Sequence, residues 1–499
     1  MSALKRLASD TVFYGMGTVI PRLLNYLLVP LYTGMLTTSE NGVIVKLYAY
    51  AAFFVILYTY GQETALFRFS NHKDFDKKQV FSTGQSSVML TSLLFSGALC
   101  LFASLLVNYL ELPGKEKYIY LMASVFAVDA FMALPFAKLR LESRPIRFAS
   151  VKIINILLTI GLNLFFIFLC KKISTGDLLA EYQPYFRWYD SADGPFYVCL
   201  ANLIANGLTL FFLLDTLKGL RLHINKRIWK TMLSYGVPLL FNGFLAMFIA
   251  QSSVLMLDWL LPDNFYPGLS KQDILGIYGQ CAKLAVFMQL GVMAFRYASE
   301  PFFFAKAKDK NSPELFAKVM YYFVLLCSVV FVSVATNLDL ISRIFLRQEA
   351  FHLALDAVPF LLMAQLFLGI YFNISIWFKL TDQTHMALYF TLGGALLSFG
   401  LSWFLIPLWG YMGGAVSITV TYLAMCVANY LVGQKKYPIP YPVSHLAGIL
   451  LGSLLISFLI RQIQLDTFAV QKTLQAALLV LYLGFVFFYE KRKFGRRTP

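Results

Sequence analysis

Fourteen long apolar runs, separated by short basic or polar segments, decide what this chain can fold into. A run of roughly 20 apolar residues crosses the hydrocarbon core of a bilayer as a helix. In lipid only helices and closed barrels satisfy every backbone N–H and C=O, and these runs are too long for barrel strands. They cover residues 11–35, 43–66, 80–110, 117–137, 148–170, 195–217, 232–257, 274–296, 315–337, 354–378, 386–408, 411–433, 443–461 and 473–490. Composition agrees: of 499 residues 59% are hydrophobic and 14% charged. A soluble protein carries about 25% charged residues, and single cores stop growing near ~250–300 residues. The expected fold is an all-α polytopic membrane protein of about fourteen helices. A soluble multidomain enzyme, a coiled coil and a disordered chain are excluded.

The net charge is +16. In a soluble protein such an excess points to nucleic acid; here it marks the cytoplasmic loops of a membrane protein, and no nucleic-acid partner is expected. With the N-terminus cytoplasmic, more than twice as many of the 42 Lys and Arg fall on that side as on the other. The densest segments are 138–152, 218–230 and 491–499. This bias implies an even number of spans and both termini in the cytoplasm. Lys5 and Arg6 precede an apolar stretch, but Arg22 interrupts it and no small-residue cleavage site follows, so the first span is expected to stay. The six cysteines lie in or beside apolar runs with no CxxC pair and read as packing residues.

The chain also repeats itself. Residues 42–63 lie on 279–300 without a gap, with identities Gly42/Gly279, Lys46/Lys283, Leu47/Leu284, Val55/Val292, Tyr60/Tyr297 and Glu63/Glu300. At a near-equal offset Gly161-Leu-Asn-Leu-Phe165 lies on Gly400-Leu-Ser-Trp-Phe404. Spans 1–6 (residues 1–217) and 7–12 (232–433) therefore read as duplicated lobes joined by a cytoplasmic linker, 218–231. A Pro-rich link, 434–442, leads to two unpaired spans in 443–490 and a basic tail, 491–499. Six spans is an even number, so both copies enter the membrane from the same side. Parallel repeats about an axis along the membrane normal suit a central cavity and alternating access.

Enzyme and cofactor motifs are missing: there is no Walker loop, HExxH or nucleophile elbow, and the histidines lack ligand spacing. The informative residues are charges at membrane depth, which cost at least ~2.5–3.5 kcal/mol unless they face a cavity or a partner. Arg22 lies near the middle of span 1 with Asn25 on the same face, flanked by Pro21 and Pro30. A kinked or locally unwound helix is expected there, as at transporter binding sites. Lys46 and Lys283 are repeat mates toward the outer half, and Gln280 shares the face of Lys283. Glu63 and Glu300 are mates at the cytoplasmic ends, with Arg68 and Arg296 about a turn away as partners for a mouth or gate. Asp129 lies alone in span 4, the candidate to pair with Arg22 or to take up a coupling ion, H+ or Na+. A cavity lined by Arg22, Lys46, Lys283, Arg68 and Arg296 would be cationic and suited to phosphate.

The motifs of the first 70 residues carry a family resemblance. Tyr14-Gly-Met-Gly17, Pro21-Arg22-Leu-Leu-Asn25, Leu28-Val-Pro30-Leu-Tyr32, Glu40-Asn-Gly42 and Tyr60-Gly-Gln-Glu63-Thr-Ala-Leu-Phe-Arg68-Phe resemble the bacterial polysaccharide flippases of the multidrug/oligosaccharidyl-lipid/polysaccharide exporter superfamily. The duplicated core with two extra spans is similar to the lipid II flippase branch. The resemblance implies a V-shaped pair of six-helix bundles around a cationic cavity in the bacterial inner membrane. It also implies an undecaprenyl-diphosphate-linked oligosaccharide as substrate, with a groove for the polyprenyl tail formed by residues 443–490. Arg22 sits in the helix whose arginines face the cavity in that branch, but it stands alone where the branch has a cluster, which argues against lipid II itself.

The reading is thus a flippase, not an enzyme, for an O-antigen, capsule or exopolysaccharide unit. Arg22, Asn25, Lys46, Lys283 and Gln280 would hold the diphosphate, Glu63, Arg68, Arg296 and Glu300 would form the mouth, and Asp129 would be the coupling carboxylate. No cofactor or metal is expected; membrane lipids and a glycan polymerase or ligase are the expected partners. The competing readings are a lipid II flippase, a drug/cation antiporter using Asp129, and a membrane glycosyltransferase or polysaccharide polymerase. The last would draw on Asp177, Glu181, Asp190 and Asp193 of the outer loop 171–194.

Overall fold

The computed structural model describes residues 17–307, 309, 311–462 and positions 473, 475, 477 and 484. Twelve helices among these, from Thr38–Phe69 to Val443–Ile460, are long and apolar enough to cross a membrane. They are spans 2–13 of the sequence reading. Span 1 is described from Gly17 onward. Its first residues, the Tyr14-Gly-Met part of the motif, the expected fourteenth span apart from positions 473, 475, 477 and 484, and the basic tail lie outside the described residues. No strand occurs among the described residues, so the all-α expectation holds.

Span 1 is broken as its prolines predict. Residues 17–25 are helical, Tyr26 and Leu27 form a turn, and the helix resumes as Leu28–Met35. Pro30 has no N–H to give the Tyr26 carbonyl four residues back, and its ring crowds that oxygen. The chain tightens instead: the N–H groups of Tyr26 and Leu27 donate three residues back, to Leu23 O (3.2 Å) and Leu24 O (3.0 Å). Span 2 breaks as well, at Tyr60 (φ +29°) and Gly61 (φ +75°). Gly236 of the seventh span backs onto this break, so close that a Cβ there would lie 2.6 Å from the Tyr60 carbonyl oxygen.

The repeat mates, spans 2 and 8, begin alike. Thr37 caps the first with Glu40 closing a reciprocal box, and Ser270 caps the second with Asp273. Such caps satisfy otherwise orphaned N–H groups and stabilise a helix start by about 0.5–2 kcal/mol. The two spans then pack against each other at the same end of the bundle. Thr38 donates to Asp273, Ser39 to Gln272 (3.2 Å) and Gln280 to Asn41. The bonded partners stand 235, 233 and 239 residues apart, matching the offset of the sequence repeat. Equivalent segments of the two halves therefore meet across a two-fold seam.

Glycine permits that approach. A Cβ on Gly42 would lie 1.8 Å from the Gln272 carbonyl oxygen, and one on Gly276 2.0 Å from the Thr38 oxygen. Both obstacles are backbone and cannot swing aside. We therefore expect Gly276→Val to pry the seam open. Cross-linking of Ser39→Cys to Gln272→Cys should fall by at least about tenfold, because such a clash exceeds the ~1.4 kcal/mol that a tenfold shift requires. An unchanged yield would refute the seam.

The seam lies at the end opposite the basic segments 138–152 and 218–230; below, these are the far end and the basic end. Other cross-lobe bonds reinforce it, among them Thr33 to the Phe345 oxygen (2.8 Å) and Gln348 to the Leu36 oxygen (3.3 Å). Toward the basic end span 7 still touches span 2, where Gly236 meets the Tyr60 carbonyl, and the candidate site is a cavity within each lobe. Span 13, Val443–Gln462, packs on the outside against the ninth span, Ser312–Thr336.

Candidate functional site

Two cavities occupy the basic-end halves of the spans. The first, about 630 Å³, lies in the first lobe between spans 1, 2, 4, 5 and 6 and reaches Tyr297 of span 8. Its polar lining includes Arg22, Asn25, Glu63, Asp129, Arg140 and Lys152. Arg22 and Asn25, just before the break in span 1, are exposed to this space. The Arg22 guanidinium donates across to Met293 Sδ of span 8 at 2.8 Å and has no ion pair among the described residues.

A relay of amides sets the geometry around Asp129. Asn155 Nδ2 donates to Asn206 Oδ1 (2.8 Å) and to Thr209 (2.9 Å); Asn206 Nδ2 then donates to Asp129 Oδ1 (2.6 Å). The relay fixes which way the Asn206 amide points and orients the carboxylate beside the cavity. Lys152 faces the same space with its ammonium 4.0 Å from the centre of the Phe136 ring. Glu63 pairs with Arg140 at 2.8 Å. Arg22 and Lys152 are left to act on a ligand, with Asp129 as the acidic counterweight.

The second cavity, about 620 Å³, is in the second lobe. Arg296 stacks over Phe372 (4.4 Å), Glu300 is paired with Lys379, and Asn242 and Asn373 line the wall. Asn373 is 2% exposed, and neither of its side-chain amide atoms makes a hydrogen bond among the described residues. A buried amide without partners costs about 1–3 kcal/mol, so a donor and an acceptor stand ready for a ligand.

The structure redistributes the predicted residues. Arg22, Asn25, Glu63 and Asp129 share the first cavity, and Arg296 and Glu300 line the second. Lys46 and Gln280 are not cavity residues. Lys46, 2% exposed, is locked between Asp258 of span 7 (2.7 Å) and the Leu110 oxygen (3.0 Å), and Gln280 is spent on Asn41; both belong to the far-end seal. Lys283 sits at a one-turn tightening of span 8, 5.6 Å from the Tyr32 ring centre, outside the residues lining either cavity and without an ion pair among the described residues. The expected helix-end pairs re-form across helices instead: Glu63 takes Arg140 rather than Arg68, and Glu300 takes Lys379 rather than Arg296. Arg68 lies over Tyr235 (4.4 Å), away from both cavities. Asp129 meets Asn206 rather than Arg22.

Lys152, Arg140, Asn155 and Asn206 were not singled out from sequence. The first two were grouped with basic loops. A signal existed: Lys152, Asn155 and Thr159 recur at i, i+3 and i+7, a polar stripe on an apolar helix.

Three of the four outer-loop carboxylates, Asp177, Asp190 and Asp193, are engaged by local partners. Asp177 is held by Lys172 (3.2 Å) and Thr175 (3.1 Å), and these bonds keep its pKa below the usual range. Burial pushes Asp193 up, but bonds from Lys117 and Tyr118 and the nearby lysine charges outweigh it and hold the group low. Asp190 spends Oδ1 on the Ala192 N–H at 3.0 Å.

A family model described as "Polysaccharide biosynthesis protein" matches residues 7–306. No curated protein matches in sequence. Among solved structures sharing the fold is the lipid II flippase MurJ in an inward closed conformation: TM-score 0.72 at 13% identity, covering 96% of this chain and 99% of that one. An inward-facing multidrug resistance MATE family transporter of the MOP superfamily aligns with TM-score 0.61 at 12% identity, covering 90% and 99%. A mutant form of the Vibrio cholerae MATE transporter VcmN gives 0.56 at 15%, covering 86% and 96%. At these identities the likeness speaks for the fold. The chain thus has a multi-pass transporter architecture.

Proposed function

Because the chain belongs to the polysaccharide biosynthesis protein family, we propose that it flips an undecaprenyl-diphosphate-linked oligosaccharide across the bacterial inner membrane by alternating access. The substrate is an O-antigen, capsule or exopolysaccharide repeat unit. The observation that carries this reading is a cavity in which Arg22 and Lys152, neither in an ion pair among the described residues, face one space with a single deep carboxylate, Asp129, beneath a sealed far end. With the basic end cytoplasmic, loading from that side requires the contact of span 7 with span 2 at Gly236 to separate. Arg22 and Lys152 grip the diphosphate, and the Arg fork suits two phosphate oxygens at once. The second cavity takes the sugars: Asn242 and Asn373 offer amides to ring hydroxyls beside Phe372 and Phe295. Span 13 and the segment after it flank the polyprenyl tail, and a glycan polymerase or ligase receives the product.

Asp129 supplies the coupling. A proton on it removes a negative charge facing Arg22 and Lys152, so protonation and diphosphate binding favour each other by the same factor. Asp129→Asn should keep substrate binding and lose its dependence on the proton or sodium gradient in proteoliposomes. The drug/cation antiporter reading, which the MATE-like fold keeps in view, expects the same variant to lose resistance to a cationic drug with no change in cell-envelope polymer. Native mass spectrometry of the gently purified protein tests the substrate. A polyprenyl-diphosphate sugar carried by the parent and absent from Arg22→Ala supports the flippase; phospholipid alone, with a drug bound through Asp129, overturns it.

A further inference from the structure

Outside the substrate cavities, a third concavity of about 950 Å³ opens at the basic end of the first lobe. Four pieces of chain build it: the end of the second span and the turn after it (Leu66, Ser70, Asn71), the start of the third span (Lys77–Leu101), the end of the fourth (Glu116–Leu141) and the linker 218–225. The linker is pinned over the helix start, because Ser82 and Thr83, both buried, accept hydrogen bonds from the Arg221 and Asn225 N–H groups at 3.3 Å each. Gly219, at φ +79°, makes the turn that lets it fold back.

Five cations face this one hollow: Lys77, Lys78, Lys138, Lys218 and Arg221. None makes an ion pair among the described residues, although two carboxylates are at hand. Asp76 is spent capping the Gln79 N–H at 3.1 Å, and Glu142 is held by Arg144 at 3.2 Å. Lys138 is fixed in place by the Thr216 oxygen and the Phe81 ring. Orienting a membrane protein requires basic residues near a loop, but not the convergence of five of them on a hollow with two carboxylates, each already engaged. Like charges around a concave wall repel one another and focus their field into the hollow, where an anion relieves the repulsion.

We infer that this concavity binds a phosphate-bearing anion, in the form of an anionic phospholipid headgroup from the leaflet at the basic end. Basic pockets among membrane helices on that side take such headgroups, and ammonium and guanidinium groups bond phosphate oxygens strongly. The site shares no lining residue with the two substrate cavities and does not depend on the flippase assignment.

The test uses the full chain in neutral detergent, probed separately with cardiolipin, phosphatidylglycerol, phosphatidylcholine and inorganic phosphate. Thermal stability and native mass spectra are the readouts. Two variants remove the same charge. One replaces Lys77, Lys78, Lys218 and Arg221 with alanine; the other replaces Lys73, Lys230, Lys435 and Lys436, which are also exposed but lie outside the hollow. Cardiolipin or phosphatidylglycerol should stabilise the parent and the second variant alike, while the first variant should need at least about tenfold more lipid for the same shift. Stabilisation by inorganic phosphate alone, lost in the first variant only, would support the anion site and assign it to a soluble ligand instead. Equal loss in both variants, or loss in neither, would overturn the inference. The side chains exchanged are exposed, so the fold survives and each result is readable.

Discussion

Replacing Arg22 with alanine should stop translocation while leaving the protein folded. Arg22 is exposed to the first cavity, and among the described residues its side chain bonds a methionine sulfur and no carboxylate. Truncating such a side chain changes stability by no more than about ±0.5 kcal/mol, so melting temperature and expression should match the parent. If the guanidinium holds a diphosphate away from bulk water, its removal costs about 2–5 kcal/mol, a loss of at least about thirtyfold in transport. Arg22→Lys should recover part of this, because an ammonium keeps the charge but loses the planar fork. Transport of lipid-linked oligosaccharide in proteoliposomes is the measurement. Parental rates in Arg22→Ala would remove Arg22 from the mechanism.

The second large effect belongs to the seal. Lys46→Ala should destabilise the closed far end by about 3–5 kcal/mol, because Asp258 would be left charged and almost fully buried without its partner. Asp258→Ala should do the same to Lys46. Lys46→Met combined with Asp258→Leu should restore most of the stability, since a buried pair replaced by packed apolar groups is often neutral. A cycle of Lys46→Met, Asp258→Leu and the double variant, read by thermal unfolding, should give a coupling energy close to the sum of the two single losses. The restored double variant should nevertheless favour the closed state without the desolvation that lets an ion pair reopen, and should transport slowly. Additive losses would show that the two residues do not act as a pair.

The sequence made the helices, the duplication and the broken first span legible, because all three are local or periodic properties. Hydropathy marks a span wherever it packs, and Pro30 breaks its helix whatever surrounds it. The polar partners were another matter. Lys46 finds Asp258 on a different lobe, and Glu63 finds Arg140 on span 4 rather than Arg68, which at i+5 lies on a different face of its own helix. Pairing of this kind depends on how helices are rotated about their axes, and no single-helix spacing encodes that. Lys152 was lost for a different reason: counting charges by side treats a lysine near a span end as a loop residue, although its side chain can project into the lobe. Of the predicted charges, Arg22 and Asp129 are the deep ones that the fold brings into a single cavity.

The glycine-lined seam between spans 2 and 8 has a further consequence. Contacts between equivalent residues are the hallmark of an isologous dimer interface, here fused into one polypeptide. In a true homodimer every substitution appears twice, so a lysine introduced on one face must be tolerated on both. Fusion lifts that constraint. Lys46 has a carboxylate neighbour and acts as a fastener, while its twin, Lys283, lies over the Tyr32 ring with no ion pair among the described residues. One ancestral position has thus diverged into a structural role and an available cation, an asymmetry that two identical chains could not have evolved.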